Sequence, residues 1–300
     1  MEVPCDNMLT ALSVALAAAF ASWQEGAKVR SGDSKMQFAK INGVTLHYQV
    51  ISAPEDKPTL VFSNSLATDF RIWRDIVVRL VGECSMVMYD KRGHGLSDIG
   101  DTPYKIDDHV NDLAGLLDHL GISNAIICGL SVGGLIAQGL NFLRPDLVRA
   151  MILCDTGAKI GTDEMWNERM EIVREQGLGG LVEANMQRWF TPDFHKNRAD
   201  ELDGISNMFL RVPVAGMLAT MEAIKNADLR AAAPQTKVPT ICIVGDQDGS
   251  TPPSLVLELA KSIPEARYEV IKGAGHIPCV EQPETMVEIF RAFFKDADIT

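Results

Sequence analysis

"AIICGLSVGGL", Ala125–Leu135, is the stretch that decides how this chain folds. Its first four residues, Ala125–Cys128, read as a strand buried on both faces, and helical periodicity begins after Ser131. Between the two lies Gly129-Leu130-Ser131-Val132-Gly133, a G-x-S-x-G pattern at a strand-to-helix turn. In so tight a turn, side chains two positions either side of the serine would collide, hence the glycines at 129 and 133. The turn lifts the serine oxygen off the sheet, and the following helix aims the Val132 N–H at any negative charge that develops there. The bare pattern arises often by chance, and a packing turn is the bland alternative. The flanking strand, the helix and the additional Gly134 favour a nucleophile at Ser131.

The same grammar repeats on either side. "TLVFS" (59–63) precedes a predicted helix near 70–80, "SMVMYD" (85–90) one near 107–120, and "AIICG" (125–129) one near 132–144. "AMILCD" (150–155) follows. Later, "TICIVG" (240–245) precedes a helix near 253–262, and "RYEVI" (267–271) precedes a last helix near 283–295. Runs that are apolar at consecutive positions fit a parallel sheet covered by helices. "MQFAKINGVTLHYQVI" (36–51) instead alternates polar and apolar residues around Asn42-Gly43, a hairpin signal. The expected class is α/β, a mostly parallel sheet flanked by helices and opened by an antiparallel hairpin.

The alternation lapses between Gly157 and Ala233, where "EMWNERMEIVREQ", "GLVEANMQRWF" and "VAGMLATMEAI" have helical periodicity and no strand is evident. Residues 157–233 are therefore expected to form a helical cap inserted after the sixth strand, with 36–156 and 234–300 as the core. Such a cap would lie as a lid over the carboxyl ends of the strands, where open parallel sheets bind ligands. An extra helical layer without a role is the alternative.

Composition narrows the partners. The chain has 28 Lys and Arg against 40 Asp and Glu, a formal net charge of −12, with both signs interspersed. That argues against nucleic acid or an anionic membrane surface, which reward clustered cations. An anionic small substrate needs only one or two placed cations. The six cysteines lack disulfide-framework spacing, and no C-x-x-C or paired-His spacing offers a metal site, so neither is expected. Free thiols point to a reducing compartment. "MLTALSVALAAAFASW" (8–23) resembles a signal-peptide core, with Ala19-Phe20-Ala21 as a cleavage-like site, and would imply export. Yet the residues before it carry Glu2 and Asp6 and no Lys or Arg, the wrong sign for a secretory leader. Residues 1–35 are read as a dispensable extension, leader-like or contributed by an upstream start codon.

A serine needs a base, and the base needs an orienting acid. On this strand–turn–helix arrangement the partners follow in the order serine, acid, histidine. His47 falls in the hairpin, His109 and His119 on a helix, His195 in the insertion, and His94 in a loop before the serine. His276, in "GAGHIPCVEQP", follows the last predicted strand on a glycine-rich loop and is the expected base. "VGDQDGSTPP" (244–253) offers Asp246 and Asp248; Asp248 is the expected acid, Asp246 a turn organiser, and Asp155 an outside candidate. The second oxyanion donor is expected in "SNSLATDF" (63–70), at the Leu66 N–H. "YDKRGHGLSD" (89–98) reads as a turn bracing the floor of the site.

These features resemble the α/β-hydrolase superfamily over nearly all of residues 36–300. Asp90, Arg92, Gly93, Gly95 and Ser97 form the D-x-R-G-x-G-x-S run of its esterase and lactonase branch. "FSNSLATDFRIW", "YDKRGHGLSD", "CGLSVGGL", "LCDTGAKIG", "RWFTPDF" and "ADLRAAAP" resemble, more narrowly, the 3-oxoadipate enol-lactonases of aromatic catabolism. "SNSL", where many relatives carry His-Gly, is the most discriminating; Asp155, where Asn is expected, is a departure. The resemblance implies Ser131, Asp248 and His276 as a triad, no cofactor, a cytoplasmic enzyme, and a small anionic lactone as substrate. Such a substrate wants a cation in the pocket, and Arg188, beside Trp189 in the lid, is a candidate, a solvated helix arginine being the alternative. Oligomeric state is not legible. The rival readings are a carboxylesterase, another lactonase or a carbon–carbon bond hydrolase on the same fold, and, from a different class, a ligand receptor that keeps the fold. A haloalkane dehalogenase would need Asp at position 131.

Overall fold

The computed structural model describes residues 37–299. The expectations for residues 1–35, including the signal-like stretch, lie outside them. β1 (Gln37–Ile41) and β2 (Val44–Ile51) form the hairpin, turning on Asn42 and Gly43, both at positive φ. That is the backbone which an Asn-Gly pair supplies at least strain. The sheet continues with β3 (Thr59–Ser63), β4 (Ser85–Tyr89), β5 (Ala125–Leu130), β6 (Val148–Cys154), β7 (Thr240–Gly245) and β8 (Arg267–Ile271). Strand order is β1-β2-β4-β3-β5-β6-β7-β8, with β2 antiparallel to both neighbours and β4 through β8 all parallel.

Every residue of β5 and β7 is buried, so the middle of the sheet is covered on both faces. The covering helices are α1 (Arg74–Leu80), α2 (Ile106–Leu120), α3 (Val132–Leu143), α9 (Pro253–Ser262) and α11 (Pro283–Asp296), with a short α10 (Pro278–Glu281) before the last. α2 shows how local chemistry sets an element. Asp108 closes a capping box on the Lys105 N–H, Gly121 ends the helix in the left-handed region, and Val110, Leu113, Leu116 and Leu117 are buried between. Between β6 and β7 the chain leaves the sheet for α4 (Asp163–Gln176), α5 (Gly179–Trp189), α6 (Pro192–Asn197), α7 (Ala199–Leu210) and α8 (Val214–Asn226). α8 meets the loop after β4 backbone to backbone: a side chain at Gly216 would strike the Gly93 carbonyl.

Cys84, Cys128, Cys154, Cys242 and Cys279 are free and buried. No helix among the described residues is long and apolar enough to cross a membrane.

Candidate active site

Ser131 sits between β5 and α3 with φ 58 and ψ −116, a conformation that a non-glycine residue adopts only where its surroundings enforce it. Those surroundings are visible. A Cβ on Gly129 would strike the Gly133 carbonyl, and one on Gly133 would strike the carbonyl of Ser63. The strained residue is pinned by its own N–H, which donates to Cys154 O at 3.0 Å, and by Thr156 Oγ1, which donates to Ser131 O at 2.7 Å. Ser131 is 8% exposed. Val132 is the first residue of α3, so its N–H has no acceptor inside the helix.

The loop after β7 and the loop after β8 bring Asp248 and His276 together, with Nδ1 of the ring 2.9 Å from Oδ2 of the carboxylate. Both are buried, and the carboxylate also accepts from Thr251 Oγ1 at 2.6 Å and from the N–H groups of Ser250 and Thr251. Burial pushes the Asp248 carboxyl up, but His276 and these donors outweigh it, and the group lies below its ordinary range. It is an anion facing the ring. Asp246 does not meet the ring; its Oδ1 accepts the N–H groups of Gly273 and Ala274 and ties the two loops together.

Asp155, directly after β6, is fully buried beside this pair. Its Oδ1 accepts the Gly245 N–H at 2.9 Å, while Oδ2 has no partner. Burial, then the negative charge of Asp248, raises its carboxyl well above the ordinary value. Ligand-type atoms of Asp155, Asp248 and His276 lie within 4.8 Å of one another. Asp155 follows Cys154, whose carbonyl holds the Ser131 N–H, so the serine turn and the Asp–His pair share one edge of the sheet. No hydrogen bond joins Ser131 Oγ to the ring among the described residues.

The "SNSL" loop runs behind the serine. Asn64 accepts from Trp73 Nε1 and donates to Tyr89 O, the Ala67 N–H donates to His94 Nε2, and Lys91 Nζ donates to the carbonyls of Asn64 and Ser65. The loop "YDKRGHGLSD" thus braces the floor, as its sequence led us to expect. Burial pulls His94 well below its usual value and His109 down to about 3, so both rings are neutral. His47 pairs with Asp90 at 2.8 Å, and His195 meets Met186 O at 3.0 Å within the insertion.

The insertion reaches this edge through Arg188 and Trp189. The Gly249 N–H donates to Arg188 O at 3.1 Å, and the His276 N–H to Trp189 O at 2.8 Å. The Trp189 ring lies 6.2 Å from the imidazole. Arg188 Nη2 donates to Asn185 Oδ1 at 2.6 Å, while its Nε is buried without a partner. Burial alone lowers the Arg188 guanidinium, with no carboxylate offsetting it. Burial, then the charge of Arg188, lowers Arg169 of α4 to about 10. Arg169 was not among the sequence candidates; only its helical spacing from Trp166, whose ring it overlies at 5.3 Å, could have pointed to it.

A model of the alpha/beta hydrolase fold matches residues 58–283. The chain is 34% identical to 3-oxoadipate enol-lactonase 2 of Acinetobacter baylyi, over 84% of this chain and 94% of that protein. Among solved structures, the enol-lactonase from Burkholderia xenovorans LB400 superimposes with a TM-score of 0.83 at 36% identity, covering 86% of this chain and all of that one. A thermophilic esterase from Thermogutta terrifontis matches at 0.82 and 25% identity, over 88% and 99% of the two chains.

Proposed function

The chain belongs to the α/β-hydrolase family and is a carboxylic ester hydrolase, and from that premise we propose that it opens 3-oxoadipate enol-lactone to 3-oxoadipate. The observation that carries the catalytic part is the Asp248–His276 pair on the sheet edge that also holds the strained Ser131. Likeness to enol-lactonases along nearly their whole length supports the substrate.

In this reading His276 Nε2 takes the Ser131 proton as Oγ attacks the lactone carbonyl, and Asp248 stabilises the imidazolium through Nδ1. The tetrahedral oxyanion receives the N–H groups of Val132 and Leu66. Its collapse breaks the ring C–O bond and releases an enolate, a better leaving group than an alkoxide. The imidazolium proton passes to the enolate, which becomes the ketone. Water, deprotonated by His276, then attacks the acyl-enzyme, and Ser131 leaves with the proton. Residues 157–233 serve as the lid, and Arg188 faces the free carboxylate of the substrate.

Turnover of the enol-lactone beside p-nitrophenyl acetate, with Ser131→Ala as control, tests the assignment. Rapid lactone loss that vanishes in the variant is expected. Fast ester cleavage with the lactone untouched would remove the substrate and keep the reaction class.

A further inference from the structure

We propose that Lys91 is a positioning residue for the oxyanion hole, its buried ammonium polarising the Ser65–Leu66 peptide from the side opposite the developing charge. The inference rests on the serine-hydrolase reading above and adds a residue to it. Lys91 is 1% exposed, which is rare for lysine without a carboxylate partner. Nζ instead donates to two carbonyl oxygens, Ser65 O at 2.6 Å and Asn64 O at 3.3 Å. An ammonium taken out of water for two peptide oxygens is an expensive arrangement if anchoring a loop were its whole purpose. A neutral donor is already present, since Thr68 Oγ1 reaches the same Ser65 oxygen at 3.0 Å.

Covalent geometry supplies the link to catalysis. Ser65 C=O and Leu66 N–H are the two ends of one planar peptide, pointing in opposite directions when the bond is trans. A cation on the oxygen draws electron density along the amide and makes the N–H a stronger donor. Hydrogen bonds polarise one another in this way most strongly where the local dielectric is low. The positive charge is also held one peptide away from the place where the oxyanion forms, and it needs no reorganisation when the reaction occurs.

The charged and titratable groups around Lys91 are Asp90 and Asp69, which favour its charge, and His94 and His109, which are neutral. Asp90 is committed to His47 and to the N–H groups of Phe70 and Leu96, and Asp69 to Arg71, so neither pairs with Nζ. Burial, the largest influence, brings the Lys91 ammonium down to about 7. As pH rises through that range the positive charge is lost while the N–H···O contact can persist. A purely structural clamp would loosen the loop and show in KM as well as kcat; a polarising charge shows in kcat alone.

The experiment follows p-nitrophenyl acetate hydrolysis from pH 6 to pH 9 in the full chain, in Lys91→Met and in Lys91→Arg. The parent kcat is expected to fall as pH rises above neutrality. Lys91→Met should lose about tenfold to a hundredfold in kcat at pH 6.5 with little change in KM, and should lack the alkaline fall. Lys91→Arg keeps a cation that does not titrate and should retain activity at pH 9. Equal kcat for parent and Lys91→Met at pH 6.5, or the same alkaline fall in both, would overturn the proposal. Should neither variant fold, the unaltered chain still decides it. Its affinity for a trifluoromethyl ketone, which forms an oxyanion on Ser131, must weaken above neutral pH, and a constant affinity would refute the role. Undiminished turnover in Ser131→Ala would strike at the serine-hydrolase reading instead.

Discussion

At the scale of single residues, the site is a set of buried charges with assigned neighbours. Asp155 differs, because one of its oxygens has no partner and its carboxyl is raised well above the ordinary carboxylate range. The folded chain therefore holds a proton that the unfolded chain releases near pH 4. The stability this group contributes is full below that value and is lost as pH rises toward the raised folded value. Asp155→Asn cannot titrate and can still accept the Gly245 N–H. It should melt higher than the parent at pH 8, with a gap that narrows toward pH 5, and kcat should stay within about threefold, as expected for a group outside the proton relay. Scanning calorimetry across that range checks it, and a gap that widens toward acid would contradict the assignment. Ser131 and His276 were legible because each lies in a local pattern tied to a strand end. The choice between Asp246 and Asp248 needed a tertiary fact, namely which carboxylate meets the ring and which gathers the Gly273 and Ala274 N–H groups. Lys91 was illegible because nothing in "YDKRGHG" announces that its side chain turns inward to peptide oxygens.

At the scale of elements, glycines mark the places where two segments touch main chain to main chain. Gly275 is such a place: its added Cβ would strike the Trp189 carbonyl, the same oxygen that holds the His276 N–H. Gly275→Ala must push the imidazole loop off that anchor while leaving the sheet alone. Because a shift of about 1 Å in a catalytic group can cost about a hundredfold, kcat should drop by that order with far-UV circular dichroism unchanged. Parent-like kcat would mean that the loop gives way without moving the ring. The strands and most of the long helices were readable from periodicity, though α7 (Ala199–Leu210) was not singled out; the last helix, expected near 283–295, spans Pro283–Asp296. The short α6 and α10 were not, since four to six residues are too few to display a period. Their cues are chemical: each begins with proline at its first position.

At the scale of the whole molecule, an acidic chain has set two arginines of the insertion where no carboxylate neutralises Arg188. Arg188→Ala is expected to raise KM for the anionic lactone by about ten- to a hundredfold, the worth of one charge-assisted hydrogen bond, and to leave the neutral p-nitrophenyl acetate unaffected. Equal losses on both substrates would assign Arg188 to structure. The parallel order of β4 through β8 was foreseeable from consecutive apolar runs, and the insertion was expected over the strand ends, whereas the anchoring that seats it there was not. It depends on contacts between residues far apart in sequence, such as Thr191 and Gly275 sharing the carboxylate of Glu281.

The anchoring of Gly249 and His276 on the carbonyls of Arg188 and Trp189 has one more consequence. Every amino acid brings the same carbonyl, so those two anchors are indifferent to which side chain stands at 188 or 189. A change of side chain at 188 therefore leaves the main-chain seat of the Asp248 and His276 loops as it was.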